Sequence, residues 1–294
     1  MTQSQVNGSS VVRRWQLADS LKGLRERAGL TQEQAVGELK KGAGRWSAAK
    51  LSRIETRVHR VKPREAEQLL DAYGVTDTEL RTNLVQLSAT ASEQGWWASF
   101  GGELPDAVKP LLSIESGLVA LRDFQPQLLH GLLQTPEYAH AVMNAVSPGT
   151  YSPEELERRV TARMIRQHVL RQTAAPRAHF IIDQAVLDHV IGNPAVMRGQ
   201  LRKLLDTADN PNVTLQILPR DAGGSPGLEG PFAVLTLPDP IPDIGYTEGP
   251  AGMVYIEDRD HVRVWTLRFG ILTELALSCA DSMGVIADAM KSYE

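Results

Sequence analysis

Residues 46–55 read WSAAKLSRIE, and this stretch is typical of neither a core helix nor an ordinary surface helix. Ser47 can cap a helix, because its side-chain oxygen accepts hydrogen bonds from the unpaired amides of the first turn. A core helix would carry more large apolar residues, and a surface helix would usually mix charges of both signs. Here two bare alanines are followed by Lys50 and Arg53. We therefore expect a helix over 48–56 with a small and basic outer face.

Four more helical segments surround this stretch, and together they predict a compact all-α domain of five helices. Gly29 and Gly74 are good helix stops, Thr31 is a good N-cap, and Pro63 stands where a helix can begin. The four segments are 17–29, 32–41, 63–74 and 77–94. We expect a disordered tail over 1–12, the helical domain over 13–94 and a second domain over 95–294.

The central stretch has the spacing that a DNA-reading helix needs. In a helix-turn-helix domain the second helix lies in the major groove, where its N-terminal side chains reach base edges. Leu51 and Ile54 are three residues apart and are expected to face the core. Arginine can donate two hydrogen bonds to guanine, and an alanine can contact a thymine methyl group. The candidate base-reading residues are Ala48, Ala49, Ser52 and Arg53.

The charge distribution supports this interpretation. Residues 1–75 contain 14 Lys and Arg against 8 Asp and Glu, a net charge of +6, whereas the remainder carries −10. A basic domain joined to an acidic one indicates that the first part meets a polyanion and the second does not. The polar N-terminus, the single cysteine Cys279 and the lack of a membrane-length apolar run predict a cytoplasmic protein without disulfides. Cys279 is expected to be buried.

Residues 17–75 resemble the lambda-repressor/Cro class of helix-turn-helix domains, the XRE type, on the motifs GLTQEQ (29–34) and SAAKLSRIE (47–55). The resemblance implies that Gln32 holds a phosphate and that Arg25 and Glu55 form an ion pair joining the first helix to the recognition helix. KGAGR (41–45) departs from the family as an insertion. The other candidate phosphate contacts are Ser47, Lys50, Arg57 and Arg60, with Lys62 and Arg64 beside them; solvated surface is the alternative for the basic residues after 56.

The second domain mixes helical and strand-like segments, which predicts an α+β fold with a small, mostly antiparallel sheet. The expected strands are 178–183, 213–219, 232–237 and 252–257. The expected helices are 107–121, 136–147, 153–171, 194–208, 258–277 and 280–291. Most of the chain also resembles a large family of actinomycete regulators, on GWW (95–97), 124–139, 211–219 and 227–240. Some members of that family are described as antitoxin-like, and many are encoded beside a small acidic partner.

No motif in the second domain indicates catalysis. GGSPG (223–227) matches the nucleophile elbow of hydrolases, but Pro226 lacks the backbone N–H that the oxyanion hole requires. The seven histidines are scattered without metal-ligand spacing, so we expect no metal, no cofactor and no enzyme activity. The candidate effector or interface residues are Trp96, Trp97, Gln125, Gln127, His130 and Tyr138.

Two segments of the second domain have open interpretations. The leucine-rich segment 124–139 could form internal core or an exchanged segment at a dimer interface. The helix over 156–171 is basic on one side, where a solvated face or a dock for an acidic partner is favoured over a second DNA contact.

The sequence as a whole predicts a DNA-binding transcription regulator, a dimeric repressor whose C-terminal domain senses a small molecule or a partner. Its expected partners are a double-stranded DNA operator and a second copy of the chain, with no membrane. The alternative is an antitoxin-like autoregulator whose C-terminal domain docks a small acidic protein. A DNA-binding enzyme would need an acid–base constellation, and the sequence shows none.

Overall fold

A computed structural model describes residues 10–42, 44–91, 109–249 and 252–293 of the chain. The chain divides into two compact units, Met1–Ser99 with Pro238–Ile241, and Phe100–Leu237 with Pro242–Glu294. In the described part no single helix is long and apolar enough to cross a membrane. The last two helices pass that test only together, and a bend of 72° separates them.

The described part of the first unit is helical, as the sequence predicts. Gly29 and Gly74 have φ of 70° and 67°, a conformation that glycine adopts without the strain of a Cβ, and each follows the end of a helix. Thr31 forms a capping box with Gln34. The helices are α1 (Ser10–Arg27), α2 (Gln32–Leu39), α3 (Ala48–Glu55), α4 (Pro63–Ala72) and α5 (Thr78–Thr90).

The first helix begins earlier than expected. Residues 10–12, which the sequence assigned to the disordered tail, form the start of α1. Val12 is buried there, because the helix extends the apolar face that begins at Leu17. Leu51 and Ile54 of α3 are fully buried in the core of this unit, as predicted.

The second unit is α+β, and its sheet has six strands in the order β3-β2-β1-β4-β5-β6. β1 pairs with β2 and β2 with β3 in parallel, whereas the other three pairings are antiparallel. The sheet is mixed and, with six strands, larger than expected. The expectation of a mostly antiparallel sheet is roughly confirmed, because three of the five pairings are antiparallel. The strands are β1 (Ala120–Gln125), β2 (Arg177–Asp183), β3 (Val213–Leu218), β4 (Phe232–Thr236), β5 (Ile244–Gly249) and β6 (Gly252–Ile256).

Two strands were missed from the sequence. β1 was assigned in part to a helix over 107–121, but the helix there is α6 (Lys109–Glu115) and the chain turns into the sheet after it. Charged Arg122 and Asp123 hide the apolar pattern of this central strand. β5 was overlooked because Gly245, Glu248 and Gly249 interrupt the apolar pattern of Ile244–Gly249. The remaining helices are α7 (Pro136–Val146), α8 (Pro153–Arg166), α9 (Pro194–Ala208), α10 (Arg259–Leu275) and α11 (Cys279–Lys291).

The two faces of the sheet differ in chemistry. On one face Phe124, Ile181 and Phe232 pack with Phe269 and Leu272 of α10. Because side chains alternate along a strand, Asp123 and its neighbours point to the opposite face. We call that opposite side the polar sheet face; it carries Asp123, Phe180, Ala233, Tyr246 and Tyr255, which the strand register aligns in one row.

The segment 124–139 is core and not an exposed dimer segment. Leu129, Leu132, Leu133 and Tyr138 are all buried. The segment therefore offers no apolar patch to a partner. Cys279, expected to be buried, is exposed at the start of α11.

Candidate functional site

The exposed face of α3 carries the candidate base-reading residues. Ser47 caps the helix, and its Oγ accepts a hydrogen bond of 3.1 Å from the backbone N–H of Lys50. Ala48, Ala49 and Arg53 are exposed, and Ser52 is half-buried. The structure brings these four side chains together on the side opposite the buried apolar residues, so α3 presents a narrow surface with one long cationic side chain.

A buried ion pair fixes α3 against α1. Arg25 donates from Nε and Nη2 to the two carboxylate oxygens of Glu55, at 2.6 and 2.9 Å. Hydrogen bonding to Glu55 raises the pKa of Arg25 despite its burial. Nη1 of the same arginine donates to the carbonyl oxygen of Leu30 at 2.6 Å, just before α2. The pair that the family resemblance implies is therefore present, and one guanidinium contacts both α3 and the turn into α2.

Gln32 joins this arrangement. Its Nε2 donates to Glu55 at 2.8 Å, and the residue is half-buried. The contact uses one of the two N–H donors of the amide group. The other N–H is the one with which Gln32 would hold a phosphate.

Lys50 and Arg57 are used inside the first unit. The Lys50 ammonium forms a 2.6 Å ion pair with Glu65 of α4 and lies 4.2 Å from the centre of the Trp46 ring. Arg57 pairs with Asp19 of α1 at 2.8 Å. Both cations are largely shielded and already neutralised by carboxylates, so we do not retain these two residues as phosphate contacts.

The insertion before α3, residues 41–45, is followed by Trp46, which is held against α4. Trp46 is buried, and its indole N–H donates to Gln68 of α4 at 3.1 Å. Of the inserted cations, Lys41 pairs with Glu38 whereas Arg45 is exposed. Ala43 lies outside the described residues. Trp46, which directly follows the insertion, thus anchors the end of this stretch to α4.

The segment after α3 supplies cations without counterions. Arg60, Lys62 and Arg64 are exposed. Within the described ranges, these three residues and Arg53 form no ion pair with a carboxylate. Burial lowers the pKa of Arg14, and the positive charge of nearby Arg60 lowers it further. Unpaired neighbouring cations favour an anionic partner.

The residues predicted as effector or interface contacts differ in their burial and contacts. Trp96 and Trp97 lie outside the described residues. Gln127 is exposed, and Tyr138 is a fully buried core residue, which argues against a surface role for Tyr138. Gln125 is half-buried and donates to Asp123 at 3.0 Å.

His130 is held inside the fold as a neutral ring. Its Nδ1 accepts the backbone N–H of Leu132 at 3.2 Å, and the ring packs 5.5 Å from that of Phe180. Burial, with Arg166 and Arg163 nearby, lowers the pKa of His130 to about 3. The Nδ1 atom of His130 therefore already accepts a hydrogen bond, and the ring lies beside the polar sheet face.

The polar sheet face contains buried polar atoms without partners. Asp123 is 1% exposed; its Oδ1 accepts from Gln125, and its Oδ2 has no partner among the described residues. Burial raises the pKa of Asp123 to about 7. The Tyr255 hydroxyl is also buried without a partner, whereas the Tyr246 hydroxyl donates to exposed Glu248 at 3.1 Å. Such unsatisfied groups are costly in a folded protein and call for an explanation.

Two arginines of α8 complete this cluster. Arg166 forms a buried two-bond ion pair with Glu115 of α6, at 2.7 and 2.9 Å. Arg163 donates from Nη1 to Gln134 at 2.9 Å, but its buried Nε has no partner in the described part of the chain. Burial and the charge of Arg166 lower the pKa of Arg163 to about 10. The basic side of the helix over 156–171 was expected to be a solvated or docking face. That expectation is wrong for buried Arg166, whereas Arg163 is half-buried and Arg158 is exposed.

Amide side chains hold the neighbouring loop in place. Gln134 donates to the Leu129 carbonyl oxygen, Gln167 donates to the Gly131 carbonyl oxygen, and Gln200 donates to the Leu133 carbonyl oxygen. Lys203 donates to Gln167 and to the carbonyl oxygen of Gln134. The loop behind His130 is thus a preorganised wall. The sequence analysis missed the cluster because its members lie on five separate elements. The one signal in the sequence is Asp123, a carboxylate inside a strand.

The described residues show neither a metal-binding group nor a nucleophile elbow. No cluster of three or more His, Cys, Asp or Glu side chains has metal-site geometry in these ranges. Ser225 caps a short 3-10 helix over 226–229, and Gly227 packs so closely on Phe124 that a Cβ would lie 2.5 Å from its ring. GGSPG therefore serves packing at this position.

Replacing Glu55 by alanine should lower the free energy of unfolding of the first unit by about 3–5 kcal/mol, because it leaves the Arg25 charge buried and unpaired. Glu38→Ala is the matched control, since it removes the exposed ion pair with Lys41 and should cost less than about 1 kcal/mol. Urea unfolding followed by circular dichroism measures both. Equal losses would contradict a structural role for the pair.

Replacing Asp123 by asparagine should change how stability depends on pH. A folded-state pKa near 7, above the usual 3.8, means that the folded protein holds the proton more tightly than the unfolded chain does. The resulting stability is complete below pH 4 and is lost as the pH rises through 7. Relative to Asp123→Asn, the wild type should therefore lose up to about 4 kcal/mol of unfolding free energy between pH 4 and 8. A difference that is constant across this range would contradict the assignment.

Comparisons with known proteins agree with the two units. A helix-turn-helix domain model matches residues 16–82. A model described as a domain of unknown function, DUF5753, matches residues 108–288, which is more than half of the chain. Neither the curated proteins nor the solved structures contain a match. The chain carries an N-terminal helix-turn-helix domain, and it belongs to the DUF5753 family.

Proposed function

We propose that this protein is a sequence-specific transcription regulator of the XRE type, a dimeric repressor that couples DNA binding to a small-molecule signal. The exposed face of α3, with its two alanines, Ser52 and Arg53 above a fully buried apolar underside, is the observation that carries the proposal. A helix-turn-helix domain presents its second helix to the major groove in this way.

The small residues decide how closely α3 can approach DNA. Ala48 and Ala49 stand at the capped N-terminal end of the helix, where they allow the backbone near the base edges and can contact a thymine methyl group. Arg53 lies one to two turns further on and can reach guanine O6 and N7. Its charge has no carboxylate partner in the described structure, so it is available for this contact.

Phosphate contacts position such a helix without reading sequence. Arg60 is the strongest candidate, with Lys62, Arg64 and the second N–H of Gln32 beside it. Ser47 already accepts the Lys50 amide, but its hydroxyl hydrogen remains a donor. One domain of this size reads few base pairs, and a dimer on two half-sites supplies the specificity that a repressor needs.

The polar sheet face is the proposed effector site. It combines an unpartnered donor on Arg163, the unpartnered Tyr255 hydroxyl and the free Oδ2 of Asp123. Asp123 is fully buried, Arg163 and Tyr255 are half-buried with their unpartnered atoms inside, and Glu248 is exposed. A small anionic molecule that also carries a hydroxyl or amino group would pair with the unpartnered atoms of Arg163 and Tyr255, which share the electrostatic neighbours Glu115 and Glu248. Asp123 lies three strands away from Tyr255 in the sheet. The alternative of antitoxin-like docking loses its main support, because 124–139 is buried.

Replacing Arg53 by alanine should relax base preference at one operator position by about 1–3 kcal/mol, whereas Arg60→Ala should weaken all sites alike and reduce the salt slope by about one. Selection from random DNA followed by binding assays at several salt concentrations measures both effects. Arg202→Ala, an exposed arginine of the second unit, is the control and should change neither. The opposite pattern for Arg53 and Arg60 would refute both assignments.

The effector proposal predicts that the protein, purified from a native-like host, carries bound mass of small-molecule size in non-denaturing mass spectrometry. Arg163→Met should abolish that mass, while Arg202→Met should retain it. Adding the released molecule back should weaken operator binding by the wild type. A co-purifying small protein would instead support the antitoxin-like alternative.

A further inference from the structure

Helix α10 has two apolar faces, and the sheet covers only one of them. Val262, Phe269 and Leu272 are buried on the sheet side. On the other side an apolar stripe is open to solvent: Val264 is 45% exposed, Leu267 61%, Ile271 47% and Leu275 37%. We call these four residues the α10 stripe.

The stripe follows the helical repeat. Steps of three, four and four residues place its members on one line, roughly 16 Å long at 1.5 Å per residue. Leu228, which is 82% exposed, lies on the 226–229 turn packed against the same helix. The Arg268–Glu229 ion pair fastens that turn to α10. An apolar surface of this kind, rimmed by charges, marks an interaction site.

The charges beside the stripe identify its partner. Arg263 and Glu274 are both exposed and lie on the same flank, eleven residues or about three turns apart. In the described part of the chain neither forms an ion pair. If two α10 helices pack antiparallel about a twofold axis between Leu267 and Ile271, Arg263 of each copy meets Glu274 of the other. In a parallel pair this flank of one copy would lie on the opposite side of the seam from the same flank of the other copy, so Arg263 and Glu274 would not meet.

We propose that the α10 stripe is the contact between two copies of this chain, with the two α10 helices antiparallel. The proposal rests on the proposed function, because a dimeric regulator needs one such self-complementary surface. Burial of the stripe supplies the attraction, and the reciprocal Arg263–Glu274 contacts set the orientation. The surface belongs to the second unit alone and does not involve the DNA-reading face.

Sedimentation equilibrium without DNA tests the proposal. The wild-type chain should weigh twice the 32.2 kDa of one copy. Leu267→Glu should raise the dimer dissociation constant by roughly 100-fold, the size of an interface hot spot. Val146→Glu replaces an equally exposed apolar residue outside the stripe and should leave the dimer intact.

Charge reversal separates this geometry from a general loss of folding. Arg263→Glu and Glu274→Arg should each weaken the dimer by roughly 10-fold, because like charges then meet across the axis. The double variant R263E/E274R should restore wild-type affinity. A monomeric wild type, an unaffected Leu267→Glu dimer or a double variant without rescue would each overturn the proposal. DNA binding is measured separately, so a dimer that follows these expectations but binds no operator would refute the proposed function alone.

Discussion

The buried contact between Arg25 and Glu55 is the constraint on which the helix-turn-helix unit depends. One guanidinium bonds both oxygens of a carboxylate on α3 and the carbonyl oxygen that precedes α2. Because both charges are withdrawn from water, neither helix can move away without leaving an unpaired charge in the core. The ion pair therefore fixes the orientation of α3 relative to α1. The outer face of α3 takes no part in this contact, so its small side chains and Arg53 are free to approach a DNA groove.

The second unit distributes its polar groups differently. Arg166 and Glu115 satisfy each other inside the domain, and a set of glutamines fixes the adjoining loop. Beside these satisfied groups stand Asp123, Tyr255 and Arg163, each with a buried atom that lacks a partner. A rigid wall next to unsatisfied donors and acceptors is the arrangement expected of a site that is completed by a ligand.

Three surfaces of the chain thus have separate chemistry. The α3 face is small and cationic, the polar sheet face contains buried unpaired atoms, and the α10 stripe is apolar with charges of both signs on its flank. β1 and β4 lie between the last two surfaces, since their alternating side chains point to α10 on one side and to the polar face on the other. A ligand that orders the polar sheet face would act on the same strands that support α10.

Local patterns in the sequence determined the first unit. Caps such as Thr31 and Ser47, stops such as Gly29 and the spacing of Leu51 and Ile54 depend on neighbours within a few residues, so they can be recognised without a structure. Tertiary structure alone decided the rest. It supplied Glu65 and Asp19 as partners of Lys50 and Arg57, it placed charged β1 in the interior of the sheet, and it buried unpartnered atoms of Asp123, Arg163 and Tyr255 on three separate elements. Pairings over such separations depend on strand register and helix packing, which no local pattern encodes.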